Sequence, residues 1–134
     1  RSNSKVALAW KAYEARWTTL LAPQNRERIT FATIPWPVLH PPTNYADGAG
    51  LNALTTLAIA QFLLSADHSP GITARDRLRG AIRRWHSDKF GRFASRMGGG
   101  DGEDPEEEKR KIMEGVGVVA RSLTQLLELE RGDS

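Results

Sequence analysis

The chain has 134 residues, 40% hydrophobic and 26% charged, with a formal charge of +3 and a pI near 9.6. That allows one compact unit with its own core, is too short for two comfortable domains, and excludes wholesale disorder. The lack of cysteine removes disulfide frameworks and thiolate metal sites and agrees with an intracellular setting, cytoplasm or nucleus.

No apolar run reaches the ~18 residues of a membrane span; the nearest, Leu51 to Leu64, is interrupted by Asn52, Thr55, Thr56 and Gln61. The first residue is Arg1 rather than Met, which reads as a piece of something longer, with any targeting segment outside it.

In chain order, "SKVALAWKAYEARWTTLLAP" predicts a helix over about 4–22. Val6, Trp10, Tyr13, Trp17 and Leu20 recur at four- and three-residue steps, so they share one face, and Pro23 stops the helix. Three large aromatic rings on one stripe read as core. In "RERITFATIPWPVLHPPTNYADGAG", Ile29, Phe31 and Ile34 suit a short extended piece. Pro35, Pro37, Pro41 and Pro42 forbid a longer regular element. The segment reads as an ordered loop with Trp36 and Val38 tucked against the helices. "GLNALTTLAIAQFLLS", apolar around most of its circumference, predicts one buried helix over about 51–65.

After the turn "DHSPG", Thr73 and Asp76 mark the start of a helix over 73–86. Leu78, Ile82 and Trp85 form its inward stripe. Arg75, Arg79 and Arg83 line one flank, Arg77 and Arg84 the other. "GRFASRMGGGDGED" reads as a Gly-rich loop. "DPEEEK" then opens a last helix over 104–130: Asp104 caps, Pro105 takes the first position, and Glu106 to Glu108 face the positive end of the dipole. Ile112, Val116, Val119, Leu123 and Leu126 give its apolar face. Gly115 and Gly117 cost about 1 kcal/mol each inside a helix, which predicts the close approach of another backbone, or a bend. The fold class is therefore all-α, with four main helices in a single domain.

The chemistry on offer centres on "RRWHSDKF". His86, Ser87 and Asp88 are sequence neighbours whose side chains diverge, and there is no Gly-x-Ser-x-Gly elbow, so a hydrolytic triad is not expected. His40, His68 and His86 share no ligand spacing, and the first two lie in Pro-rich or turn contexts that suit a solvated imidazole. "GGGDGED" matches neither a calcium loop nor a phosphate loop. No cofactor or metal is expected.

Charge is more telling. Between Ile72 and Met97 there are eight bases (Arg75, Arg77, Arg79, Arg83, Arg84, Lys89, Arg92, Arg96) against Asp76 and Asp88, a balance of +6. Asp101 to Glu108 carries six acids and no base. Such a two-sided domain suits an acidic protein surface or a phosphate backbone.

These residues resemble a J domain, the co-chaperone module that engages Hsp70. In that family a basic second helix ends in Tyr/Trp-His-Pro-Asp-Lys, a loop follows, and a third helix packs antiparallel on the second. Here "RDRLRGAIRRWHSDKF" matches the helix and tripeptide, and "PEEEKRKIMEGVGVVARSLTQLLELERG" the third helix, so the likeness covers roughly Thr73 to Arg131. The upstream 1–71 would be an added helix, a Pro-rich loop and a further helix. Trp-His-x-Asp-Lys-Phe is similar to a J-like segment of NF-kappa-B-inhibitor-like proteins, and "IPWPV" to fungal proteins carrying it upstream of such a motif.

The resemblance implies that His86 and Asp88 are the first and last residues of the tripeptide. It also implies that Arg79, Arg83 and Arg84 lie on the basic helix that meets an acidic surface of Hsp70. Ser87 stands where the family has proline; serine permits the same turn without enforcing it. The expected function is a non-enzymatic interaction module. Its partner-binding residues would be Arg75, Arg79, Arg83, Arg84, His86, Ser87, Asp88 and Lys89, and its partner an Hsp70-type chaperone or another acidic protein. The alternatives are weak, non-specific nucleic-acid binding through the same helix and a structural or oligomerisation domain. The last helix's four-three spacing is the feature an intermolecular seam would use. A monomer is expected over a dimer.

Overall fold

A computed structural model describes residues 4–42, 45, 49–98 and 104–132. Among them are six α-helices and no strand: α1 (Lys5–Leu21), α2 (Ala49–Asn52), α3 (Thr56–Leu63), α4 (Ala74–Arg84), α5 (Ser87–Phe90) and α6 (Pro105–Gly132). The described residues are all-α, in six helices where four main ones were expected. Asp101, Glu103 and most of the Gly-rich stretch lie outside the described residues.

Helix α1 begins where Ser4 Oγ accepts the amide of Ala7 at 3.0 Å. Its aromatic stripe is buried: Tyr13, Trp17 and Leu20 sit in the core, with Val6 and Trp10 packed against it. The Pro-rich segment also folds inward. Ile29 forms a single parallel bridge with Met97; its amide donates to the Arg96 carbonyl at 2.8 Å and its carbonyl accepts from Gly98 at 3.2 Å. A 3₁₀ turn at Phe31–Thr33 follows, tied to α6 by the buried Glu108 carboxylate, which accepts the Phe31 amide at 2.6 Å. Trp36, 1% exposed, donates Nε1–H to the Phe31 carbonyl at 2.9 Å.

The helix expected over 51–65 is broken. Thr55 is extended (φ −80°, ψ 156°) and its hydroxyl accepts the Ala58 amide, so it caps α3 instead of continuing α2. A threonine oxygen offers the backbone a competing bond, and here the competitor wins.

The turn between α3 and α4 is organised by Arg77. Its guanidinium donates to the carbonyls of Leu63 (3.1 Å) and Ser65 (2.7 Å) at the end of α3. It also reaches His68 (2.9 Å) and Ser69 (2.9 Å) in the turn, and Ile72 (3.0 Å). Helix C-termini leave carbonyls unbonded and carry partial negative charge, so one cation here satisfies several acceptors. Ser69 sits at φ 53° and Gly71 at φ 83°; the first is a strained conformation for a side-chain-bearing residue, and the Arg77 bond to its carbonyl helps hold it.

Helix α4 starts as expected, with Thr73 Oγ1 accepting the Asp76 amide at 3.1 Å, and packs chiefly against α6. Gly91–Arg96, expected as loop, is a 3₁₀ segment that buries Phe93 and leads to the buried Met97. At the start of α6, Asp104 accepts the Glu106 amide at 3.0 Å.

Candidate interaction surface

The "RRWHSDKF" corner is held from beneath. Trp85 ends α4, is fully buried and donates Nε1–H to the Tyr13 hydroxyl at 3.1 Å. Its ring stacks on Trp36 at 5.5 Å and on Phe90 at 5.6 Å and meets Trp17 edge-on at 5.3 Å. Aromatic pairs add about 0.5–1.5 kcal/mol each beyond burial. With Trp85 and Phe90 anchored, the four residues between them, His86, Ser87, Asp88 and Lys89, are all exposed.

Where a simple turn was expected there is one turn of helix, α5, with His86 as its N-cap. Nδ1 of His86 accepts the Asp88 amide at 3.2 Å, so in this state the ring proton sits on Nε2. The Asp88 carboxylate lies 3.8 Å from the same Nδ1. Among the described residues Ser87 makes no hydrogen bond to the imidazole, so the three side chains are not linked as nucleophile, base and orienting acid.

Ser87 occupies the first helical position, where proline is favoured because that amide has no partner inside the helix. His86 already has φ −64° and ψ 134°, the extended geometry a following proline demands. We expect Ser87→Pro to stabilise the fold by about 0.5 kcal/mol, read as a small upward shift in melting temperature; destabilisation would contradict this geometry.

Six of the eight bases of 72–97, those from Arg75 to Lys89, divide into two groups. Arg75, Arg79 and Arg83 are exposed on α4, and Lys89 is exposed on α5; among the described residues none of the four forms an ion pair. Arg77 is committed to carbonyls, as above. Arg84 turns back onto α1: it donates to both Glu14 oxygens at 3.0 and 3.4 Å and lies over the rings of Tyr13 and Trp17 at 5.5 and 5.0 Å. Partial burial opposes its charge, but the Glu14 carboxylate and the Tyr13 oxygen outweigh that and raise its pKa above the ordinary value. Its side chain is only 28% exposed, so Arg84 fastens α4 to α1 and offers a partner less than its neighbours do. Glu14 was not singled out from the sequence, and no local spacing connects positions 14 and 84.

His68 needs correcting. It was expected to be solvated, but it is 6% exposed and stacks on Trp10 with centroids 3.9 Å apart and planes 4° from parallel. Its Nε2 faces the Phe62 carbonyl at 2.7 Å. A carbonyl only accepts, so Nε2 carries the hydrogen and Nδ1 accepts from Ser69 Oγ at 2.9 Å. Burial, reinforced by the Arg77 charge and only partly offset by the Phe62 carbonyl and by Asp67 and Glu14, pushes its pKa below the ordinary 6.5.

A base with a depressed folded pKa contributes stability that is complete above about 6.5 and is lost as pH falls through the folded value. We therefore expect the melting temperature to fall as pH drops below about 6.5, and the His68→Gln variant to lack that part of the slope. An identical slope in the variant would exclude His68 as its origin.

His40 and His86 are exposed, and among the described residues no group of three or more His, Asp or Glu side chains could hold a metal. No helix among the described residues is long and apolar enough to cross a membrane. A groove of about 690 Å³ lies between α1 and the Pro-rich segment and shares no lining residue with the 86–89 corner. No protein-family model, curated protein or solved structure matches the chain.

Proposed function

We propose that the chain is a J-like protein-interaction module that docks an acidic protein surface through the exposed edge of α4 and the His86-Ser87-Asp88-Lys89 corner. An Hsp70-type chaperone is the partner the motif implies. One observation carries the reading. Arg75, Arg79 and Arg83 stand exposed at four-residue intervals, without ion-pair partners among the described residues, and lead to an exposed corner held by buried Trp85 and Phe90. Eight residues of helix span about 12 Å, which suits a compact acidic patch. The packing of α4 on α6 supports the reading, since the resemblance calls for a helix packed on the basic one. Asp88, 89% exposed at its side chain, favours protein over nucleic acid, because a protein surface can set a cation against this carboxylate within an acidic patch and a phosphate backbone cannot.

The test is binding of purified Hsp70 to the chain and to its Arg79→Glu/Arg83→Glu and Asp88→Asn variants, with single-turnover ATPase as a second readout. Charge reversal should weaken binding at least tenfold, about 1.4 kcal/mol. Ser87→Pro, which restores the family's tripeptide, should equal or exceed the parent in ATPase stimulation. Unchanged capture by both charge variants would end the co-chaperone reading. Binding to duplex DNA whose log affinity falls linearly with log salt, without Hsp70 binding, would favour the nucleic-acid alternative.

A further inference from the structure

A second cationic feature lies off the α4 edge. Where the end of α1 meets the 3₁₀ segment 91–96, a pocket of about 280 Å³ is lined by Arg26, Arg92 and Arg96, with Ser95, Asn25 and Phe93 among its other walls. Among the described residues no carboxylate lines it. Three arginines elsewhere in the fold are ion-paired, Arg16 with Glu27, Arg84 with Glu14 and Arg110 with Glu107 and Glu114; among the described residues Arg26, Arg92 and Arg96, like Arg75, Arg79 and Arg83 of α4, form no ion pair.

Arg96 is fixed by neutral acceptors alone. Its Nε donates to the Glu27 carbonyl at 3.1 Å and Nη1 to the Leu20 carbonyl at 3.2 Å, with the guanidinium over the Phe93 ring at 5.6 Å. Its Nη2 is buried with no acceptor among the described residues. Arg26 is steered by Nη1 alone, toward the carbonyls of Pro23 (2.9 Å) and Asn25 (3.4 Å), leaving the rest of its fork uncommitted. Arg92 is exposed and makes no hydrogen bond or ion pair among the described residues. Glu27 is an acid whose charge interacts with Arg96, and its two oxygens are already engaged by Arg16 at 2.7 and 3.3 Å.

Three arginines line one concavity, one of them with its guanidinium held by backbone carbonyls, and together they suit a multiply charged oxyanion. Guanidinium forks match phosphate oxygens in pairs, and the Ser95 hydroxyl is a further donor. The volume is just under the ~300 Å³ at which pockets begin to admit drug-sized ligands, so it suits a phosphate with a few attached atoms rather than a polymer. We propose that this pocket binds the phosphate group of a small phosphomonoester. The site shares no residue with the proposed docking edge and stands or falls separately from it.

The experiment is calorimetric titration of the whole chain with inorganic phosphate and with glycerol 3-phosphate at constant ionic strength, using chloride as the control anion. Saturable one-to-one binding of both is expected. Arg92→Gln should weaken it at least fivefold and Arg26→Gln/Arg92→Gln should abolish it, while Arg79→Glu leaves it unchanged. Arg92 is exposed and uncommitted, so its variant should fold even where an Arg96 variant does not. Any of three results would overturn the proposal: heats no larger than those of chloride, binding retained in the double variant, or an oligonucleotide without terminal phosphates binding as tightly as the monoester.

Discussion

Replacing Arg77 with alanine is expected to cost about 3 kcal/mol of folding stability, roughly 10 °C in melting temperature. The side chain donates to five carbonyls, from Leu63, Ser65, His68, Ser69 and Ile72. Hydrogen bonds to a charged donor contribute about 1.5–3 kcal/mol each. They are not additive, and some of these carbonyls will find water in the variant, which keeps the expected total well below their sum. The loss falls on one structural unit, because the same carbonyls end α3, shape the strained turn at Ser69 and set the start of α4.

Arg77→Lys should recover little of the loss: an ammonium is a single point donor, whereas the guanidinium spreads donors over three nitrogens in a fixed plane. Arg79→Ala, two residues along the same helix, should change stability by no more than about 0.5 kcal/mol, since Arg79 is exposed. Thermal or urea unfolding of the three variants checks this. Equal effects at positions 77 and 79 would remove the clamp from the description.

That pair also marks the limit of what the sequence could reveal. Periodicity located α1 and its aromatic face, and the Thr73 and Asp104-Pro105 signals located the starts of α4 and α6, because those features depend on neighbours within four residues. Net charge along α4 was equally plain, but its division was not. Arg77 and Arg84 are consumed internally by groups 5 to 14 and 70 residues away, and such partners exist only once the chain has folded. The same holds for His68: its turn context was legible, whereas the Trp10 ring that covers it comes from α1. Two misses did carry local signals. Thr55 followed by Ala58 reads as an N-cap inside an apolar run, and Phe93 and Met97, four residues apart, foretell an inward face in the segment expected as loop. At the corner itself, exposure of His86, Asp88 and Lys89 follows from the burial of Trp85 and Phe90 on either side.

The glycines of α6 supply the second large effect, and the two should respond with opposite sign. A Cβ at Gly115 would lie 2.6 Å from Cη2 of Trp36 and 3.0 Å from its Cζ3. What approaches α6 there is a side-chain ring, not the backbone that glycine in mid-helix suggested. Trp36 has little room to withdraw, being packed against Trp85 at 5.5 Å and Phe31 at 4.8 Å and tethered through Nε1 to the Phe31 carbonyl. Overpacking a core costs about 1–3 kcal/mol, and alanine returns about 1 kcal/mol of helix propensity. Gly115→Ala should therefore destabilise by about 1–2 kcal/mol, and Gly115→Val by about 3 kcal/mol or more, since valine adds both volume and a poorer helix former.

At Gly117 the nearest atom to a new Cβ is the Arg121 Nη1, at 3.3 Å, the far end of a flexible side chain that can swing aside. Gly117→Ala should then gain most of the helix propensity, about 0.5–1 kcal/mol. Trp85 stacks directly on Trp36, so a displaced Trp36 indole presses on the anchor beneath the 86–89 corner. Gly115→Val is accordingly expected to weaken partner binding as well as stability, although it touches no exposed residue of the corner. Parallel melting curves and binding isotherms for the Gly115 and Gly117 variants decide it: a Gly115→Val protein as stable as the parent would mean that Trp36 does not occupy the notch the glycine leaves.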